Sequence, residues 1–289
     1  MYRRSIKKYK VKNDIIFSYI FSHKDILKSF LENVIDTKIE SLEVENQFKL
    51  DRSNFTDKLC VLDIKAIINK DTFIDVEMQN KVHQSYLKRI YLYFGSITKS
   101  QIRKGMDYSK LKDAIIINIL NENMFDDIKQ YHTIWRLYEE NNKEHTPLDS
   151  LQVHFIELEK FRNSNPDLKN KLNQWLTFID TENEKWVESV MEENEKIKEA
   201  YDLKEEFTAD NETEEFLYKY EIWKMDQKEF IKEAREEGEK SGLEKGEKLG
   251  KQKNQIQVVK AMLKENINVD IISKVTGLTK EEIENILNK

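Results

Sequence analysis

The 289-residue chain has one cysteine, two prolines and five histidines, and its seven glycines include four in one short segment. A single thiol, Cys60, excludes an intramolecular disulfide framework and points to a reducing, cytoplasmic setting. The opening MYRRSIKKYK is positively charged but lacks the apolar stretch of a secretory leader, and no run is long enough to cross a bilayer, so no membrane partner is expected. No Walker or dinucleotide glycine fingerprint is present, which argues against a phosphate loop. The five histidines (His23, His83, His132, His145 and His154) show no metal-ligand spacing. Cys60 falls on the apolar face of a predicted hairpin, which argues for packing and against nucleophilic catalysis.

What is present is unevenly distributed. Charged residues make up 35% and the mean hydropathy is -0.73, yet the first half holds dense apolar runs such as Ala114 to Leu120. Net charge is +7 over residues 1–110 and -13 over 111–289, together the overall -6. A basic N-terminal part followed by an acidic tail suits a phosphate-binding domain with an appended extension.

Periodicity predicts an amphipathic helix over 14–35, capped by Asn13 or Asp14, and a first strand over 42–50. Leu59 to Ile68 and Thr72 to Gln79 are β-rich and separated by Asn69, Lys70 and Asp71, so they read as a hairpin. Asn80 to Lys104 returns to helical spacing before Gly105. Ala114 to Leu120 suits a strand covered on both faces, and Tyr131 to Tyr138 and Leu151 to Leu158 predict two more, with Pro147 between them. This order predicts an α/β (α+β) fold, a mixed sheet flanked by helices, with an α-helical C-terminal extension.

The expected division is a core over 1–164, a helical extension over 165–236, a Gly/Glu/Lys segment over 237–253 and a small helical module over 254–289. In the third of these, Gly238, Gly242, Gly246 and Gly250 recur every four residues. They form either a self-associating helix face or a flexible charged linker, since each glycine costs a helix roughly 1 kcal/mol relative to alanine. The last segment reads as a helical cap or oligomerisation hairpin in preference to a DNA-binding helix-turn-helix; in it Thr279 with Glu282 predicts a capping box.

The candidate chemistry sits in the hairpin. If it folds about Lys70, Leu62 pairs with Met78, Ile64 with Val76 and Ala66 with Ile74, one apolar face. The other face then pairs Lys65 with Asp75, Asp63 with Glu77 and Val61 with Gln79. Two carboxylates opposite each other, with Cβ atoms about 5 Å apart, repel unless a cation relieves them. A divalent metal would do so; a solvated face on which Lys65 neutralises Glu77 diagonally is the competing account. Gln79 points to the same face as Glu77.

These residues resemble a known family. Asp63 in LDIKA followed by Glu77 and Gln79 in DVEMQ is similar to the Asp…Glu-x-Lys hairpin of the PD-(D/E)XK nuclease superfamily, with glutamine in place of the commoner lysine. The opening KNDIIFSYIF, this hairpin, Arg89 and Tyr93 on the following helix, HFIELEKF, the glycine-glutamate repeat and TGLTKEEI together resemble the recombination-promoting nuclease (Rpn) and transposase family over nearly the whole chain. The resemblance implies a restriction-endonuclease-like sheet and Mg2+- (or Mn2+-) dependent cleavage of DNA phosphodiesters. It implies Asp63 and Glu77 as metal ligands and Gln79 as the residue that orients the attacking water. Asp14 matches an acidic position that can join the metal site, or else is a plain helix-start carboxylate. Arg89 and Tyr93, one turn apart, are placed to meet a scissile phosphate, or else are a surface arginine and a core tyrosine. DNA and further copies of the chain, joined through the C-terminal helices, are the expected partners. The alternative reading is a silent nuclease fold that binds nucleic acid or protein and assembles through its tail.

Overall fold

The computed structural model describes residues 9–45, 64–83, 85–144, 150–180 and 184–287. The chain gathers into two compact units, Met1–Leu217 and Tyr218–Lys289.

The first unit opens with α1 (Asp14–Phe21) and α2 (Lys24–Val34), where one continuous helix over 14–35 was expected. Side chains explain the break: Ser22 Oγ donates to Tyr19 O at 2.7 Å and His23 Nδ1 lies 2.9 Å from the same carbonyl, so the C-terminal orphan acceptors of α1 are satisfied locally and the ladder stops. Asn13 is the N-cap, accepting from Ile15 N and Ile16 N, as its residue type favours. Each helix turns its own apolar set inward, Ile16, Phe17 and Ile20 from α1 and Leu27, Phe30 and Leu31 from α2, all with no exposed surface.

Six strands follow, β1 (Leu42–Val44), β2 (Ile64–Ile68), β3 (Thr72–Gln79), β4 (Asp113–Leu120), β5 (His132–Arg136) and β6 (Leu151–Glu157). They form one mixed sheet in the order β1-β2-β3-β4-β6-β5. The β1–β2 and β2–β3 pairs are antiparallel, β3–β4 and β4–β6 are parallel, and β5 closes the far edge antiparallel to β6. The expected extensions of the first two strands, over 46–50 and 59–63, lie outside the described residues, as do Cys60, His145 and Pro147.

The β2–β3 register is the one derived from the alternation: Ile64 pairs with Val76, Lys65 with Asp75, Ala66 with Ile74 and Ile67 with Phe73. Asn69 and Lys70 take positive φ of 51° and 68°, the geometry tight hairpins require. Asn69 Oδ1 also accepts from Glu40 N at 2.8 Å, which ties the turn to the segment leading into β1.

Both faces of the central strands are covered. On one, Phe73, Ile116, Leu120 and Phe155 pack under Tyr86, Ile90 and Ile97 of α3 (Tyr86–Gln101). That helix starts later and ends earlier than the 80–104 expected. Its start is delayed because Asn80 is held by the N-terminal segment, donating to Lys12 O at 2.8 Å. At its end Gln101 Oε1 accepts from Lys112 N at 2.8 Å, turning the chain toward β4.

Beyond the sheet, α4 (Leu158–Asn163), α5 (Lys171–Asp180), α6 (Glu184–Glu193) and α7 (Glu195–Ala209) complete the first unit. Trp175 and Phe178 of α5 are fully buried, and Trp175 lies 5.8 and 6.0 Å from the Phe21 and Phe30 rings. Burial of several aromatic rings in one place is a large share of what holds this half together.

The second unit consists of most of α8 (Asn211–Lys264), then α9 (Val269–Thr276) and α10 (Lys280–Leu287). The four glycines lie within continuous helix. At the C-terminal end, Val259, Ile272 and Ile283 form a small core with Leu263 and Leu278. Gly277 adopts φ 71° and donates to Ser273 O at 2.9 Å, a left-handed stop that only glycine makes without strain. The capping box is present: Thr279 N donates to Glu282 Oε2 at 2.8 Å and Glu282 N to Thr279 Oγ1 at 3.2 Å.

Candidate active site

Strand β3 presents Phe73, Asp75, Glu77 and Gln79 to the α3 side, because alternate residues share a face. Asp75 and Glu77 are each 1% exposed. Asp75 and Glu77 are therefore shielded from water and do not sit on a solvated strand face, which strand periodicity cannot show. Asp75 stands opposite Lys65. Gln79 Nε2 donates to Glu77 Oε2 at 3.0 Å, so two of the anticipated site residues are in direct contact. Asp63, the third, lies outside the described residues.

Across the parallel ladder, Glu77 is level with Asn118 of β4. Asn118 is fully buried and clamped from both sides, accepting from Tyr86 Oη at 2.7 Å and donating to His154 O at 3.0 Å. Tyr86 is the first residue of α3, so this amide fastens the covering helix to the sheet beside the carboxylate. Arg89, one turn on, is exposed, with its guanidinium 5.4 Å from the Tyr86 ring and 5.5 Å from the Tyr93 ring, and it donates to Tyr93 Oη. Stacking of this kind orients a cation while leaving it accessible. Arg89 and Tyr93 thus occur as a pair, connected to the Glu77 level through Tyr86 and Asn118.

Asp14 lies in the first turn of α1 and accepts from Asn80 Nδ2 at 2.6 Å. Since Asn80 follows Gln79, the structure joins Asp14 to the C-terminal end of β3. Lys12 reaches the same region, with Nζ 3.1 Å from Asn121 Oδ1 and 3.4 Å from Asp180, while Asn121 N donates to Gln79 O at 2.9 Å. Burial pushes the Asp180 carboxyl up, and Lys12 and Arg162 oppose that shift. Glu157 ends β6 fully buried; it accepts from Phe125 N at 3.1 Å and pairs with Lys160 at 2.6 Å, which pins the loop after β4. Polar side chains therefore converge where β3, β4 and β6 end, the place where parallel sheets usually bind ligands.

Asn118, Tyr86, Asn80, Lys12 and Glu157 were not anticipated. The one signal for Asn118 is its being the sole polar residue in the run Ala114 to Leu120. Among the described residues no three histidine, cysteine or acidic side chains are grouped to hold a metal, and no helix is long and apolar enough to cross a membrane. The donors the β3 face does offer, Asp75 and Glu77, are carboxylate oxygens, the class that fits a hard divalent cation such as Mg2+.

Residues 11–234 match the family model described as PD-(D/E)XK nuclease family transposase. No curated protein and no solved structure matches the chain.

Proposed function

Because the chain belongs to the PD-(D/E)XK nuclease family transposases, we propose that it is a metal-dependent DNA endonuclease hydrolysing phosphodiester bonds, with its site on the α3 face of β3. The observation that carries this reading is buried Glu77 in hydrogen-bond contact with half-buried Gln79, on a hairpin whose described pairs all sum to 140. Continued by one pair, that register would set Asp63 opposite Glu77, and both the pairing and the membership of Asp63 in the site are part of the proposal.

In this reading Asp63 and Glu77 hold Mg2+ or Mn2+, with Asp14 as support from α1. When bound, the cation supplies charge neutralisation for the phosphate and acidity for the attacking water. Gln79 donates its amide N–H to Glu77 and so fixes the carboxylate, leaving its carbonyl oxygen to accept from that water. It brings no positive charge, unlike the lysine more common at this position. Arg89, stacked between two tyrosine rings, takes a phosphate oxygen together with Tyr93. Such contacts position DNA without reading its sequence, so they supply no base readout of their own. The acidity of α10, with Glu281, Glu282 and Glu284, disfavours DNA readout by the C-terminal helices; we assign them to joining copies of the chain. A cytoplasmic location and a role in recombination or element mobility complete the proposal.

The test is nicking of supercoiled plasmid in Mg2+ by wild type and Glu77→Ala. Nicking by wild type that the variant loses supports the reading, and equal nicking by both ends it. Calorimetric titration of Mg2+ or Mn2+ into wild type and Asp63→Ala separates an enzyme from a silent fold that binds no metal.

A further inference from the structure

From residue 225 to 254 every position of α8 is exposed. At 1.5 Å per residue that is about 45 Å of helix, and a Cβ placed on any of its four glycines would meet nothing within 4 Å. The stretch is not uniformly polar. Ile231, Gly238, Gly242, Gly246, Leu249 and Ile256 fall on one seam at intervals of three, four or seven residues, the spacing of a helix that packs lengthwise on another. Ile231, Leu249 and Ile256 are 66%, 54% and 40% exposed, which leaves large apolar groups in water at both ends of the glycine segment. Only Arg235 and Lys253 interrupt the seam.

Charge identifies the occupant. Residues 226–239 carry net -3, with six acidic and three basic side chains, and residues 240–253 carry net +3, with five basic and two acidic. The sign changes inside the glycine segment. A second copy running the same way would set acidic half on acidic half and basic on basic. Running the opposite way, it sets each half against its complement and brings the glycines together at the crossing, where the absence of side chains lets backbones approach.

We propose that α8 pairs with the α8 of a second copy in antiparallel orientation, crossing within Gly238–Gly250. This rests on the assembly role assigned above to the C-terminal helices and adds to it the partner surface and its direction. Opposed charge halves contribute orientation and salt dependence more than raw affinity.

Sedimentation velocity of the full chain at low and high salt tests this, with three variants changed only at exposed positions. One carries Glu233→Lys, Glu236→Lys and Glu237→Lys; another carries Lys245→Glu, Lys248→Glu and Lys251→Glu; the third combines all six. Antiparallel pairing predicts a wild-type dimer, association weakened at least about tenfold in either triple variant by like charge, and recovery in the combined variant. The differences should shrink in about 1 M salt, where the screening length falls to about 3 Å. A monomeric wild type overturns both this proposal and the assembly reading. A dimer whose triple variants associate as tightly as wild type overturns the antiparallel arrangement alone.

Discussion

Replacing Glu77 by glutamine separates a metal-binding carboxylate from a structural one. The substitution keeps the volume of the side chain in a site only 1% exposed and keeps an oxygen that can accept from Gln79 Nε2, so packing and the 3.0 Å contact survive. What goes is the charge that a cation would require. Mg2+ at about 100 times its dissociation constant stabilises a protein that binds it only when folded by about 2.7 kcal/mol. Unit 1 spans residues 1–217, and for that size each kcal/mol moves the midpoint by about 2–4 °C, so wild type should gain about 5–11 °C. The variant should gain almost none of this, and its nicking should fall by about a hundredfold or more, on the scale seen when one preorganised electrostatic group is removed. Differential scanning fluorimetry with and without Mg2+, beside the plasmid assay, gives both numbers. An equal shift in the two proteins would refute the assignment, as would a variant that nicks normally.

Three further outcomes are expected. Tyr86→Phe strips the donor from buried Asn118 Oδ1 and should cost about 1–3 kcal/mol, read as a lowered midpoint in urea; an unchanged midpoint would show that the Tyr86–Asn118 bond contributes nothing. Arg89→Ala should reduce the slope of log affinity against log salt by about 1 for plasmid-length DNA, with an identical slope denying it a phosphate contact. His154 is pushed down to about 3 by burial, with His132 and Arg136 adding to the shift, so its contribution is fully present above the unfolded value of about 6.5. Stability from this group should fall by about 1.4 kcal/mol per pH unit as pH drops from there toward 3, and His154→Leu should flatten that slope in denaturant titrations at pH 7.5, 6 and 5.

The hairpin was legible because its period of two and the turn at Asn69 and Lys70 admit one register that keeps Ile64, Ala66, Ile74 and Val76 together. Helix limits were less so. Ser22 and His23 end α1 through side-chain bonds to Tyr19 O, while apolar spacing runs on across the break. The late start of α3 depends on Asn80 bonding to Lys12 and Asp14, 68 and 66 residues away. Asn118 was hidden for the same reason: its partners lie 32 residues before it and 36 after it, and nothing local announces them. The burial of Asp75 and Glu77 depends on what packs over the strand, so alternation could show that they share a face but not that the face is covered.

The clamp on Asn118 has a kinetic corollary. Any motion that lifts the start of α3 from β4 strains or breaks the bond from Tyr86 Oη. The frequency of such unlatching is governed by one phenol and one amide. Their exchange protection would gauge how often the door stands ajar.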